Sequence, residues 1–241
     1  MGGPPHAAGR ADLGIGAQCR CHSARPGPAQ CPQAPGSCRA ASIGASSPST
    51  FRTEGGGALN APSVLFVGGV RSGKSALAQR WAEARSFSRL YVATCRAQDA
   101  EMAARVALHQ KQRGHGWHCV EAPLDPAGAA ESFLAGQDAG VLLLDCVSLW
   151  VANLLECGLE QAALLESAER LAQWVRDAPR PVALVSGESG LGMVPLSAVG
   201  RNFQDALGLV NQRLAAACSA VVFVSCGLPL ALKGCVPEEI C

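Results

Sequence analysis

The clearest chemical signal in this chain is the run Gly68-Gly69-Val70-Arg71-Ser72-Gly73-Lys74-Ser75, which has the spacing G-x-x-x-x-G-K-S. Glycines at these positions let backbone N–H groups converge on a polyphosphate, and the start of a following helix favours negative charge. Lys74 is placed to reach the terminal phosphates, and the Ser75 hydroxyl to ligate Mg²⁺. The context fits: the apolar run Val64-Leu65-Phe66-Val67 precedes the loop, and the helix-like stretch Ala76 to Glu83 follows it. The chain has only three lysines (Lys74, Lys111, Lys233), so one at this position is not explained by composition. The plain alternative is a glycine-rich turn with a chance lysine, and the strand and helix flanks weigh against it. The motif predicts a site for a nucleoside triphosphate, with Gly68, Gly69, Val70, Arg71, Ser72, Gly73, Lys74 and Ser75 as its phosphate-binding residues.

Three further groups of residues have chemical potential. Val141-Leu142-Leu143-Leu144-Asp145 reads as a buried strand ending in an acid. A Mg²⁺–nucleotide site needs such a carboxylate, whereas many strands end in Asp merely to cap a helix. Between Asp99 and His109, spacing of four sets Glu101, Arg105 and His109 along one helix face, with Met102 and Val106 pointing inward. The plain reading is a surface helix with an ion pair and an incidental histidine. The chemical one is a nucleophile, since neutral imidazole attacks phosphorus without first losing a proton. His115 and His118 compete for that part. Finally, the glycine-rich segment Ser186 to Pro195 follows a predicted strand, which places Glu188 at the same sheet end as Lys74, to act on a substrate hydroxyl or a metal. A flexible connection is the bland alternative.

These residues must be positioned by elements that alternate along the chain. Strands are predicted at Ser63–Val67, Arg89–Ala93, Trp117–Glu121, Gly140–Asp145, Pro181–Ser186 and Ala220–Val224. Helices are predicted at Lys74–Arg85, Asp99–Gln112, Asp125–Leu134, Val147–Cys157, Glu160–Asp177 and Ala198–Cys218, and the segment from Gly227 to Lys233 adds a final edge strand. Strands separated by helices indicate βαβ units. The expected fold is therefore α/β and P-loop NTPase-like, a mainly parallel sheet flanked by helices on both faces, with ligands at the carboxyl ends of the strands.

Residues 1–60 differ in kind. They are rich in Gly, Pro, Ala and Ser and lack apolar periodicity, so they read as a disordered N-terminal leader. No apolar core follows the few arginines there, which argues against a signal peptide, and no amphipathic helix supports a transit peptide. Residues 61–234 are expected to form the catalytic domain and 235–241 a C-terminal tail.

Net charge is +1, which gives no support for broad nucleic-acid binding. No apolar run reaches the roughly 18 residues that a spanning helix needs. Twelve cysteines suggest a disulfide framework at first sight. Cys95, Cys119, Cys146, Cys218 and Cys226, however, fall in or beside predicted elements, where free cysteine behaves as a small hydrophobe. A nucleotide-dependent enzyme also belongs in the reducing cytoplasm. Cys19, Cys21, His22, Cys31 and Cys38 lack the close pairing of a zinc site.

Taken together, these segments resemble the bifunctional adenosylcobinamide kinase/adenosylcobinamide-phosphate guanylyltransferase family. The match runs from about Val64 to Lys233. It includes the loop Gly68–Ser75, Y-x-A-T at Tyr91–Thr94, and D-x-E-M-x-x-R-[IV]-x-x-H from Asp99 to His109. It continues with Arg113, Trp117 and Glu121, L-L-D-C-x-x-L-W-x-x-N-L at Leu143–Leu154, and G-x-G-x-V-P at Gly190–Pro195. Arg201, Phe203, Asp205, Gly208, Asn211-Gln212 and Gly227-Leu228-Pro229-Leu230 complete it.

The resemblance implies two reactions. A triphosphate, ATP or GTP, phosphorylates the aminopropanol hydroxyl of adenosylcobinamide, with Lys74, Ser75, Mg²⁺ and Asp145 at the transferring group. His109 then attacks the α-phosphate of GTP, and adenosylcobinamide phosphate takes up the GMP to give adenosylcobinamide-GDP. Arg113 and Glu121 fall near the nucleotide, and the family assembles as oligomers, typically trimers. The chain departs from the family in Ser186-Gly187-Glu188-Ser189-Gly190, where relatives commonly read S-N-E-V-G: the glutamate stays and the asparagine is lost. Two other readings stand beside this one: a phosphate-loop kinase of another small molecule, with a structural histidine, and a non-catalytic nucleotide-binding regulator.

Overall fold

The computed structural model describes residues 61–96 and 114–241, all of which belong to one compact unit. The leader, the predicted helix Asp99–Gln112, and with it His109 and Arg113, lie outside the described residues. Seven strands and five α-helices are described: β1 Ser63–Gly68, α1 Lys74–Glu83, β2 Arg89–Ala93, β3 Trp117–Glu121, α2 Pro126–Leu134, β4 Val141–Asp145, α3 Val147–Glu156, α4 Gln161–Asp177, β5 Val182–Gly187, α5 Ala198–Ala217, β6 Ala220–Ser225 and β7 Leu228–Lys233. A 3₁₀ turn at Glu238–Ile240 ends the chain.

The strands form one sheet in the order β3-β2-β4-β5-β1-β6-β7. All pairs are parallel except β6 with β7. The strands read as continuous apolar runs because both faces are covered, as parallel sheets require. Side chains alternate faces along each strand. Leu65, Val67, Leu90, Val92, Leu142, Leu144 and Leu184 pack with Trp150, Leu164, Leu171 and Leu207 beneath α3, α4 and α5. Val64, Phe66, Tyr91, Leu143 and Val185 point the other way, onto Leu77, Ala78 and Trp81 of α1. In α4 the buried set Leu164, Ala168, Leu171, Ala172 and Val175 falls at the three- and four-residue intervals of one helix face.

The predicted elements are present to within a residue or two at each described boundary. Residues 235–241 fold back on this domain: Ile240 is buried in the α1-side cluster, and Arg85 pairs with Glu239 at 2.9 Å. The cysteines depart from expectation. Cys218 is buried, but Cys119 and Cys226 are exposed. Cys119 lies on β3, an edge strand, and Cys226 in the β6–β7 turn.

Candidate functional site

The phosphate loop joins the carboxyl end of β1 to the amino end of α1, as its sequence requires. Gly73, the residue before the helix, has φ 96°, a left-handed conformation that glycine adopts without penalty. A Cβ there would stand 3.2 Å from the Gly227 Cα. The loop is buttressed by the β6–β7 turn, where the Gly227 N–H donates to the Ser72 carbonyl at 2.8 Å. Gly68 is tight as well: an added Cβ would sit 2.4 Å from the Val224 carbonyl oxygen. The Lys74 ammonium donates to the Gly69 carbonyl at 3.0 Å, so it bends back over the loop whose concave side faces a phosphate. Val70 and Arg71 are exposed on the outer rim of the loop.

Sheet register brings the acids to the same edge. Glu121, Ala93 and Asp145 are mutual partners across β3, β2 and β4, so both carboxylates stand on the α1 face, two strands and roughly 10 Å apart. β5 lies between β4 and β1, and the Glu188 N–H at its end donates to the Gly68 carbonyl at 3.0 Å. The Glu188 side chain accepts from the Gly190 N–H at 2.7 Å, curling the loop on itself. Ser75, Lys74, Asp145 and Glu188 are all half-buried, whereas Glu121 is exposed. The thiol of Cys146 reports the local field: burial and the neighbouring Asp145 push it up to about 11, while Lys74 pulls it down.

Several residues to which the sequence assigns no role hold this edge together. Thr94, fully buried at the end of β2, donates from Oγ1 to the Cys146 carbonyl at 2.7 Å and accepts from the Cys146 N–H at 2.9 Å. The Asn153 amide donates to the Thr94 and Pro123 carbonyls at 2.8 and 3.0 Å. Beyond β5, the Ser148 hydroxyl accepts from the Gly187 N–H at 2.6 Å. The Asn211 amide donates to the Gly187 carbonyl at 3.0 Å, and the Ser186 hydroxyl donates to Asn211 Oδ1 at 2.6 Å. Thr94 and Asn153 lie in the motifs Y-x-A-T and L-W-x-x-N-L, where one polar residue closes an apolar run and the other interrupts one, and that was the available signal.

The donor set suits one class of ion. A serine hydroxyl and a carboxylate are hard oxygen ligands, too few for a protein-only cage and adequate for Mg²⁺ that keeps waters and phosphate oxygens. Among the described residues no cluster of three His, Cys, Asp or Glu side chains is arranged to hold a metal.

A parallel α/β sheet with a phosphate loop after its first strand, and with acids at the adjoining strand ends, defines a nucleotide-binding protein of the phosphate-loop class. Comparison with known proteins narrows this. The family model described as cobinamide kinase / cobinamide phosphate guanyltransferase matches residues 64–232, and the chain belongs to that family. It is 40% identical over 170 residues to the bifunctional adenosylcobalamin biosynthesis protein CobP of Pseudomonas aeruginosa, covering 70% of this chain and 96% of that one. The bifunctional adenosylcobalamin biosynthesis proteins CobU of Escherichia coli and Salmonella typhimurium are 38% and 36% identical, each matched over 70% of this chain and 99% of its own length.

Proposed function

We propose that this protein is an enzyme of cobalamin biosynthesis that phosphorylates adenosylcobinamide and then transfers GMP from GTP to the phosphate it has made, yielding adenosylcobinamide-GDP. The observation that carries this reading is the family match over residues 64–232, which spans both the phosphate loop and the segment containing His109. A kinase of another small molecule with a structural histidine is not favoured, because the matched relatives are themselves bifunctional.

In the first reaction the substrate hydroxyl takes the γ-phosphoryl of ATP or GTP. Loop N–H groups and the amino end of α1 cradle the phosphates, and Lys74 leaves the Gly69 carbonyl to balance charge on the transferring group. In this reading Glu188 accepts the hydroxyl proton. Mg²⁺, held by Ser75 and Asp145, would supply Lewis-acid neutralisation of the phosphate oxygens.

In the second reaction His109 attacks the α-phosphorus of GTP. A P–N bond forms, the bond to the bridging oxygen breaks, and pyrophosphate leaves with the electron pair. An oxygen of adenosylcobinamide phosphate then displaces the imidazole, and GMP is transferred. Arg113 and Glu121 serve the nucleotide in this reading.

Two further features belong to the proposal. The protein acts in the reducing cytoplasm, where a nucleotide-dependent enzyme belongs. Among the described residues no helix is long and apolar enough to cross a membrane. It assembles as a homo-oligomer, a trimer by family resemblance, and exposed Leu191, Met193, Val194 and Leu196 beside the site offer apolar surface for such a contact. Chromatography of adenosylcobinamide incubated with GTP tests the function. Adenosylcobinamide phosphate should appear first and adenosylcobinamide-GDP second, and Lys74→Ala should abolish both. If the wild type forms the first product and never the second, the single-activity kinase is correct.

A further inference from the structure

The chain contains a single tyrosine, Tyr91, and it stands at a position where phenylalanine would fill the same space. Tyr91 is 8% exposed, and its ring meets Trp117 edge-on with centroids 6.1 Å apart. The Trp117 indole N–H in turn donates to Glu83 of α1 at 3.3 Å, so this aromatic pair is tied to the helix that follows the phosphate loop. Register fixes where the phenol ends. Tyr91 pairs with Leu143 and Ala93 with Asp145, which makes Tyr91 the diagonal neighbour of Asp145 on the same sheet face. With strands roughly 4.8 Å apart and a rise of about 3.3 Å per residue, such neighbours stand about 8 Å apart, a span that an aromatic side chain bridges and a short hydroxyl side chain does not. The Tyr91 hydroxyl donates to Asp145 Oδ2 at 3.1 Å.

We propose that Tyr91 is a positioning residue for Asp145: its hydroxyl fixes the plane of the carboxylate, and so the direction in which Asp145 presents oxygen to the nucleotide-bound cation. The inference rests on the reading of Asp145 as a cation ligand. Mg²⁺ demands near-octahedral geometry, so a carboxylate whose plane a hydrogen bond helps to set is a better ligand than one that has lost that bond. Loss of a partner that orients a ligand costs about 10- to 100-fold in metal affinity. The lower end applies here, because the carboxylate itself survives.

The test is Mn²⁺ binding, followed by electron paramagnetic resonance, to the full chain saturated with β,γ-imido GTP. Wild type, Tyr91→Phe, Asp145→Asn and the double variant are compared, with thermal melts run on each. Tyr91→Phe should bind Mn²⁺ about tenfold more weakly. It should keep wild-type affinity for the nucleotide without metal, and it should add nothing to the loss in Asp145→Asn. Wild-type Mn²⁺ binding in Tyr91→Phe, or fully additive losses in the double variant, would overturn the inference while leaving Asp145 as a ligand. If Asp145→Asn itself binds Mn²⁺ like the wild type, the reading of Asp145 fails and the positioning role with it.

Discussion

Replacing Thr94 by valine should test whether the polar clasp at the end of β2 holds the nucleotide edge of the sheet. The two side chains have nearly the same shape, so the change removes a hydroxyl and leaves the packing. Two hydrogen bonds go, to the carbonyl and from the N–H of Cys146. The carbonyl keeps the Trp150 N–H at 3.2 Å as a partner, whereas the Cys146 N–H loses its acceptor in a half-buried position. One ordinary hydrogen bond contributes about 0.5–1.5 kcal/mol, and a stranded donor costs about 1–3 kcal/mol, so the loss should be about 2–3 kcal/mol. For a domain of this size that corresponds to a fall in Tm of about 4–12 °C. Thr94→Ser keeps the oxygen and should melt near the wild type. Because Cys146 directly follows Asp145, Thr94→Val should also lower phosphoryl transfer at temperatures where it remains folded. A Tm within about 1 °C of the wild type would refute the reasoning, since it would mean that water or a shifted backbone replaces the clasp at no cost.

Other outcomes follow from the same geometry. Gly73→Ala places a side chain on a residue at φ 96° and 3.2 Å from the Gly227 Cα. The left-handed conformation alone costs about 1–2 kcal/mol, so the loop should leave the shape that cradles phosphates, and affinity for a fluorescent GTP analogue should fall in an equilibrium titration. The buried thiols predict an alkaline limit. Burial raises Cys218 to about 12 and, with Asp145, Cys146 to about 11, above the ordinary value of 9.0. The folded state therefore holds these protons more tightly than the unfolded chain, and stability that is whole below pH 9 should fall as pH rises through 9 toward 11–12. Melts between pH 8 and 11 should show Tm falling above pH 9, less steeply in Cys218→Ala. At pH 8 a thiol-directed reagent should label exposed Cys119 and Cys226 and spare buried Cys218.

Much of the fold is legible in the sequence because a parallel sheet writes itself as apolar runs, each bounded by turn residues. Ser63 to Gly68, Val141 to Asp145 and Val182 to Gly187 are of this kind, and their boundaries are nearly those expected. Strand order is another matter. Buried strands made of valine and leucine carry no mark of their neighbours, so nothing in the chain announces that β5 sits between β1 and β4. Once that order is known, the closeness of Glu188 to the phosphate loop follows, because Gly187 pairs directly with Gly68.

The same limit hides the supporting residues. Tyr91 and Asp145 are 54 positions apart and meet only through the register of β2 on β4. Thr94 and Cys146 meet for the same reason. The phosphate loop, by contrast, is local: its glycines, lysine and serine do their work within eight consecutive residues, and sequence is enough. Exposure of Cys119 escapes a residue-by-residue reading because it depends on β3 being at the sheet edge.

In the proposed function one phosphate loop serves two successive phosphorus reactions, at the γ-phosphate and then at the α-phosphate through a histidine. The most direct test is incubation of the full chain with GTP radiolabelled at the α-phosphate, followed by denaturing electrophoresis with and without acid treatment. The expected result is a covalent label that acid removes, that adenosylcobinamide phosphate discharges, and that is absent from His109→Ala. An adduct formed equally well without His109, or no adduct in an active wild-type kinase, would contradict it.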